Sequence, residues 1–280
     1  MDKQHKILLV GAGLMTPQLI NHLCKYDDSH ITIAANILED AQRLAKMHPD
    51  KMSAVYLDIS DEKALSALVE SHTHVISFIP PFLHHHVAKA CVEHGRNMTT
   101  SSYTSPAVRD MQDEVKAKGL IFLNECGLDP GIDILGTMKV VHEAEKKGQI
   151  VKKYASYCGG LPVAEQADDN PLAYKFSWNP GAGIAASRNA ATFRKDGKVV
   201  TAPNCLKASE VRDDFSQAMK LVIYPNRDSL IFQEAFGMKD CDTFVRGTIR
   251  FRGFCGTVAA FHDLGLTSDE PVPADVKTLR

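Results

Sequence analysis

The chain has 280 residues, 44% of them apolar and 24% charged, with a formal net charge of −2. That mixture belongs to a globular protein of one large domain or two ordinary ones, and it excludes a bulk electrostatic attraction to nucleic acid or to an anionic membrane surface. No apolar run approaches the roughly 20 residues that a membrane helix needs.

The first half alternates two periods. Lys6 to Val10 is a short apolar run, the mark of a strand buried on both faces, and a glycine-rich turn follows it. A helix is expected from Gln18 to Lys25, a strand over Ile31 to Ala35, and a helix over Glu39 to Met47 with Leu44 and Ala45 facing inward. Strand and helix then repeat: Ala54 to Leu57, Glu62 to Glu70, Val75 to Ile79 before Pro80-Pro81, and Leu83 to Glu93 closed by Gly95. Asn97 to Thr100 is a fifth strand, Pro106 to Lys118 a helix with proline first and Gly119 just past its end, and Leu120 to Leu123 a sixth strand. This alternation predicts an α/β fold, a doubly wound parallel sheet of the Rossmann type, over residues 1–125. After that the grammar changes. Ile132 to Lys147 reads as one long helix, followed by strands at Lys153–Cys158, Ala191–Arg194, Val199–Ala202, Lys220–Tyr224 and Thr248–Phe254, with a hairpin turn at Lys195-Asp196-Gly197-Lys198. Residues 126–280 are therefore expected to form an α+β substrate-binding domain with a mixed sheet. Seven scattered cysteines without a CxxC pair, and no signal peptide, predict a reducing compartment, the cytoplasm.

Strand Lys6–Val10 opens directly into Gly11-Ala12-Gly13-Leu14-Met15-Thr16-Pro17. Glycine at 11 permits a tight turn, and glycine at 13 lets backbone amides approach a pyrophosphate at a helix N-terminus. Thr16 stands where the usual third glycine would be. The GxG alone fits an ordinary strand–helix turn as well, but its place after the first strand of a six-strand alternation points to dinucleotide binding. The end of the second strand carries Asn36, neither an acid for the ribose hydroxyl of NAD nor an arginine for the 2′-phosphate of NADP. Arg43 and Lys46 lie farther along, more in keeping with a solvated helix face. The cofactor is NADP or NAD, with a lean to NADP.

Several segments resemble saccharopine dehydrogenase of the glutamate-forming type, also called saccharopine reductase. They are Thr100-Ser101-Ser102-Tyr103, Gly127-Leu128-Asp129-Pro130-Gly131-Ile132-Asp133, Tyr157-Cys158-Gly159-Gly160-Leu161-Pro162, Asn170 to Trp178, Tyr224-Pro225-Asn226-Arg227-Asp228-Ser229, and Arg246-Gly247-Thr248-Ile249-Arg250. They occur in family order across nearly the whole chain. The resemblance implies oxidation of a secondary amine to an imine, then hydrolysis to glutamate and 2-aminoadipate semialdehyde, in lysine biosynthesis or degradation. It implies substrate binding at Ser102, Tyr103, Asp129, Arg227, Thr248, Ile249 and Arg250, and acid–base roles among Asp129, Tyr103 and Cys158. Cofactor contacts are expected at Gly11, Gly13, Leu14, Met15, Asn36, Ile79, Ser101 and Leu128.

Chemistry supports these positions. Saccharopine carries three carboxylates, and guanidinium groups fork carboxylates bidentately, so Arg227 and Arg250 suit a pocket wall. Asp129, expected at the hinge between the two halves, is the leading acid–base candidate; it also suits a cap for a helix starting at Pro130. Cys158 reads equally as a small core residue, and Tyr103 as an aromatic wall. His84-His85-His86 invites a metal, but three successive helical residues point apart, so no metal is expected. Two alternatives stay open: a catalytically silent dinucleotide-binding protein, and an amino-acid dehydrogenase for another substrate. The expected partner is a small-molecule substrate, with no nucleic acid and no membrane, and a homodimer is an assembly open to the chain. The family's proteins run past Arg280, and Pro271-Val272-Pro273-Ala274-Asp275 reads as a connector, so the substrate domain is expected to be truncated.

Overall fold

A computed structural model describes residues 5–26, 28–167, 169–212, 214, 220–268 and 270–271. The connector read at residues 271–275 lies, but for Pro271, outside them. The chain divides into two compact units, residues 1–136 and 137–280.

The first unit alternates β1 (His5–Val10), α1 (Thr16–Leu23), β2 (Ser29–Ala35), α2 (Leu38–Ala45), β3 (Met52–Tyr56), α3 (Glu62–Ser71), β4 (His74–Ser77), α4 (His84–His94), β5 (Asn97–Thr99), α5 (Pro106–Arg109), α6 (Gln112–Ala117) and β6 (Phe122–Leu123). Its six strands are all parallel, in the order β3-β2-β1-β4-β5-β6. Successive side chains of a strand point to opposite faces, and β1 shows both faces buried. Leu8 and Val10 join one core cluster with Leu65, Val69, Val87, Ala88 and Cys91. Leu9 joins the other with Ile20, Ile31, Ile33, Ala41 and Leu44. Helices α3 and α4 cover one face and α1 and α2 the other, the doubly wound arrangement that the apolar run of β1 predicts. The single helix expected over Pro106–Lys118 is two. Ser105 caps the first through an Oγ that accepts from the Val108 N–H at 3.4 Å. The Met111 amide then reaches only three residues back, to Val108 O, which closes that segment before α6 begins.

The second unit holds α7 (Ile132–Lys146, which begins in the first unit), β7 (Lys153–Cys158), α8 (Pro180–Ala186), β8 (Ala191–Lys195), β9 (Lys198–Ala202), β10 (Glu210–Arg212), β11 (Leu221–Pro225), α9 (Leu230–Ala235), β12 (Thr243–Phe251) and α10 (Arg252–Asp263). Its sheet is mixed: β10–β11, β11–β12 and β8–β9 run antiparallel, while β7 lies parallel to β12. Asp196 and Gly197 both take positive φ, 47° and 79°, between β8 and β9, as a tight hairpin requires. The expected strand Thr248–Phe254 is displaced. The strand starts at Thr243, its first half masked in sequence by the charge of Arg246. Phe254, Cys255 and Val258 repeat at helical spacing and bury one side of α10 against Val222 and Tyr224. Helices α8 and α9 and strand β10 carry no period strong enough to foresee.

Among the described residues no helix is long and apolar enough to cross a membrane.

Candidate functional site

In a parallel sheet every strand's C-terminal end lies on one edge, where open α/β sheets bind ligands. Gly11 follows β1, Asn36 follows β2, Ile79 lies two residues past β4 and Ser101 two past β5, with Leu128 and Asp129 in the loop after β6. The glycine turn shows why its residues are needed. Gly11 has φ +117°, and a Cβ there would sit 2.4 Å from the Phe78 carbonyl oxygen. At Gly13 a Cβ would meet open space, so the backbone there lies bare to an approaching group. Thr16 takes the third glycine's place fully buried; its Oγ1 donates to Gly11 O at 3.4 Å and its N–H to Gly13 O at 3.1 Å, which closes the turn internally. Leu14 and Met15 are exposed at the start of α1. A bare backbone at a helix N-terminus fits a diphosphate. Asn36 is exposed, and Arg43 pairs with Asp40 at 3.2 Å on the exposed face of α2.

The segment after β5 is fixed from three sides. His84, at the first turn of α4 and 2% exposed, places Nδ1 2.7 Å from Ser77 Oγ and Nε2 2.9 Å from Ser102 Oγ and 3.3 Å from Thr100 Oγ1. Burial presses the His84 imidazole down to about 4, so it is neutral at physiological pH. Tyr103 Oη donates to Asp129 Oδ1 at 2.5 Å. Glu125, at φ 61°, accepts at Oε1 from the Thr104 N–H at 3.1 Å and from Thr104 Oγ1 at 3.2 Å.

The Asp129 loop is held by its own glycines. Gly131 has φ +147°, and a Cβ there would lie 2.1 Å from Gly127 O. Gly127 N–H donates to Pro130 O at 2.8 Å, and Ile132 N–H to Gly127 O at 3.0 Å. The long helix starts at Ile132, as expected, so the alternative of Asp129 capping a helix at Pro130 does not apply; the carboxylate of Asp133 accepts the Gly131 N–H at 2.8 Å. Of the three consecutive histidines, His84 faces inward while the rings of His85 and His86 lie 4.0 Å apart. Among the described residues no three His, Cys, Asp or Glu side chains gather as metal ligands.

The second unit carries the remaining candidates. Cys158 ends β7, half-buried, in register with Thr248 of β12. A Cβ at Gly159 would lie 2.2 Å from Ile249 O and 2.6 Å from Arg250 Nη1, so glycine there makes room for the guanidinium. Arg250 is 7% exposed, with its guanidinium 5.0 Å from the Tyr174 ring and 5.4 Å from that of Phe254. Nη1 donates to Ile249 O at 2.8 Å, while Nε is buried with no partner among the described residues. Arg227 sits just past β11 at φ 53°. Pro225 pairs with Gly247 and Val222 with Arg250, so Arg227, two residues past β11, and Arg250 lie toward opposite ends of the β11–β12 ladder. Arg246, which the sequence reading passed over, is 6% exposed with its guanidinium 3.9 Å above the Phe232 ring.

Within the first unit the structure thus pairs Tyr103 with Asp129 and, separately, Ser102 with His84, both on the strand-end edge that carries the glycine turn. His84 and Glu125, which hold this segment, were missed: their partners are 7 to 21 residues away, and no local period marks such contacts.

Residues 7–123 match the family described as saccharopine dehydrogenase NADP binding domain, and residues 127–278 the saccharopine dehydrogenase C-terminal domain. The chain is 39% identical over 265 residues to a Saccharomyces cerevisiae protein named saccharopine dehydrogenase [NADP(+), L-glutamate-forming], covering 94% of this chain and 59% of that one. It is 36% identical to the mouse mitochondrial alpha-aminoadipic semialdehyde synthase, over 98% of this chain and 30% of that protein. The solved structure of apo histidine-tagged saccharopine dehydrogenase (L-Glu forming) from Saccharomyces cerevisiae superimposes with a TM-score of 0.83 at 38% identity, over 95% of this chain and 59% of that one. The chain therefore spans about three fifths of the yeast protein and less than a third of the mouse one. With both halves matched, in order, by that family's two domains, the chain belongs to the saccharopine dehydrogenase family.

Proposed function

We propose that this chain is an oxidoreductase acting on a CH–NH bond, interconverting saccharopine with glutamate and 2-aminoadipate 6-semialdehyde in lysine metabolism, with NADP or NAD as cofactor. One observation carries the proposal: the Tyr103 hydroxyl bonded to Asp129 at 2.5 Å, held by the loops after β5 and β6 on the edge where the glycine turn opens. The bare backbone at Gly13 and the start of α1 would hold the diphosphate. Bound there, the dinucleotide supplies the acceptor for a hydride leaving the lysine-side carbon next to the substrate nitrogen.

Asp129 and Tyr103 then serve the proton chemistry. The amine loses its proton as the imine forms, and the carboxylate–phenol pair takes it up. The same pair orients the water that adds to the imine carbon and returns a proton to the departing glutamate nitrogen. Three substrate carboxylates need separate cationic partners, and Arg227 and Arg250, toward opposite ends of the β11–β12 ladder, suit two of them. The buried Nε of Arg250, which costs free energy while it lacks an acceptor, fits a carboxylate. Ser102, Thr248 and Ile249 complete the binding set, and Cys158 stands at the end of β7 as a further acid–base candidate. Ile79, Ser101 and Leu128 join the glycine turn in holding the cofactor, and the absence of an acid at Asn36 favours NADP.

The seven free cysteines suit a reducing compartment, the cytoplasm. The partner is the small-molecule substrate; a homodimer is the assembly to check by light scattering. The test of the activity is a spectrophotometric assay with saccharopine and each oxidised cofactor in turn. Substrate-dependent reduction of cofactor, with glutamate released in equal amount, is the expected result. Reduction with another amino acid but not with saccharopine would replace the substrate.

A further inference from the structure

His84 has no place in the reaction as just described, yet it is among the most enclosed polar groups of the first unit. Ser77 is fully buried, Thr100 is 2% exposed and His84 itself 2% exposed. The imidazole bridges the ends of β4 and β5: Nδ1 meets Ser77 Oγ at 2.7 Å, and Nε2 meets Ser102 Oγ at 2.9 Å and Thr100 Oγ1 at 3.3 Å. Only Ser102 of these partners reaches partial exposure. A neutral imidazole has one N–H and one lone pair, so its tautomer dictates what each hydroxyl does. Protonation of both nitrogens is opposed by burial and by the positive end of α4, in whose first turn His84 stands.

The two tautomers are not equivalent for Ser102. With the hydrogen on Nδ1, Nε2 is an acceptor and draws the Ser102 hydroxyl hydrogen inward. With the hydrogen on Nε2, the ring donates to Ser102 Oγ, and the Ser102 hydrogen is released to point outward. A site for carboxylates needs donors, so only the second arrangement is useful there.

We infer that His84 is a positioning residue, a buried imidazole kept in the Nε2–H form that turns the Ser102 hydroxyl outward as a donor to a substrate carboxylate. In this arrangement the buried Ser77 hydroxyl donates to Nδ1, which fixes the tautomer from behind, and Thr100 Oγ1 shares the Nε2 hydrogen. The assignment, tautomer included, rests on the carboxylate site of the saccharopine reading, while the tautomer is measured independently of it.

The experiment has two arms on the full chain. Long-range nitrogen–proton correlation NMR on histidine-labelled protein at neutral pH, with the signal assigned by loss in His84→Gln, should show a protonated Nε2 and a bare Nδ1. An Nδ1–H ring or an imidazolium overturns the inference, whether or not saccharopine is the substrate. The second arm is a double-mutant cycle. His84→Leu should raise the saccharopine KM about tenfold, the worth of one good hydrogen bond, with kcat changed far less. In a Ser102→Ala background the same change should be under about twofold, because the partner through which His84 acts is gone. His84→Gln, which keeps an amide donor near the Nε2 position, should restore most of the affinity and fold even where His84→Leu does not. Additive effects of His84 and Ser102, or a Gln variant as impaired as Leu, would overturn the assignment. A wild-type chain inert toward saccharopine would refute the proposed reaction alone and leave the NMR arm to decide the tautomer.

Discussion

At the level of single residues, the account turns on Asp129 and Tyr103. Asp129→Asn keeps the shape but loses the proton acceptor, so kcat should fall about a hundredfold or more while the dissociation constant for reduced cofactor stays within about twofold. Equal loss of both, read by cofactor fluorescence and steady-state kinetics, would make Asp129 a structural residue. Arg227→Ala should raise the saccharopine KM far more than it weakens cofactor binding; a parallel rise in both would mark Arg227 as a folding residue. Tyr103, Asp129 and Arg227 entered the proposal because whole motifs carried them, and of these the structure bonds Tyr103 to Asp129. Arg250 was legible by position, but its seat between Tyr174 and Phe254 was not, since the pairing of rings distant in sequence leaves no periodic trace. His84 was visible only as one of three histidines, and its true partners are Ser77 at the end of β4 and Thr100 and Ser102 just past β5.

At the level of elements, strand β1 and the turn after it were read almost entirely from sequence, because a strand buried on both faces must be apolar throughout and a turn at φ +117° must be glycine. Gly11→Ala tests that coupling: a Cβ 2.4 Å from Phe78 O forces β1 and β4 to shift. Loss of cofactor binding with the second unit's fold intact by spectroscopy is the expected outcome. Unchanged affinity would show that the turn does not hold the diphosphate. In the second unit, the start of β12 was missed because Arg246 interrupts the run after Phe244 and Val245, although it is in fact buried. Phe244, fully buried and stacked on Tyr154 with centroids 4.5 Å apart, is the clearest anchor of that strand. Phe244→Ala should cost about 3–5 kcal/mol in denaturant unfolding.

At the level of the whole molecule, the fold class was legible and the pH response was not. Burial lowers the imidazoles of His84, to about 4, and of His72 below their usual range. The unfolded chain therefore binds protons that the folded chain refuses as pH falls from about 6.5 toward 4, and stability present above that window is lost through it. For His84 alone the loss between about pH 7.5 and pH 5 is on the order of 2 kcal/mol, and His84→Gln should flatten the curve by that amount in urea titrations at constant ionic strength. An unaltered slope would mean that His84 is not held neutral. The strand–helix alternation stops near residue 125, while the two compact units divide after residue 136, inside the long helix α7. The helices α8 and α9 were not, being short segments stabilised by what they pack against and not by their own propensity.

The proposed reaction is the oxidation of saccharopine through the Tyr103–Asp129 pair beside the glycine turn. The most direct measurement is the appearance of reduced nicotinamide absorbance on adding saccharopine to the purified 280-residue chain with NADP, alongside its Asp129→Asn variant. The account predicts reduction by the wild type, with matching glutamate release, and near-complete loss in the variant. Equal rates in the two proteins, or no reduction by a wild-type chain shown to bind the cofactor, would contradict it.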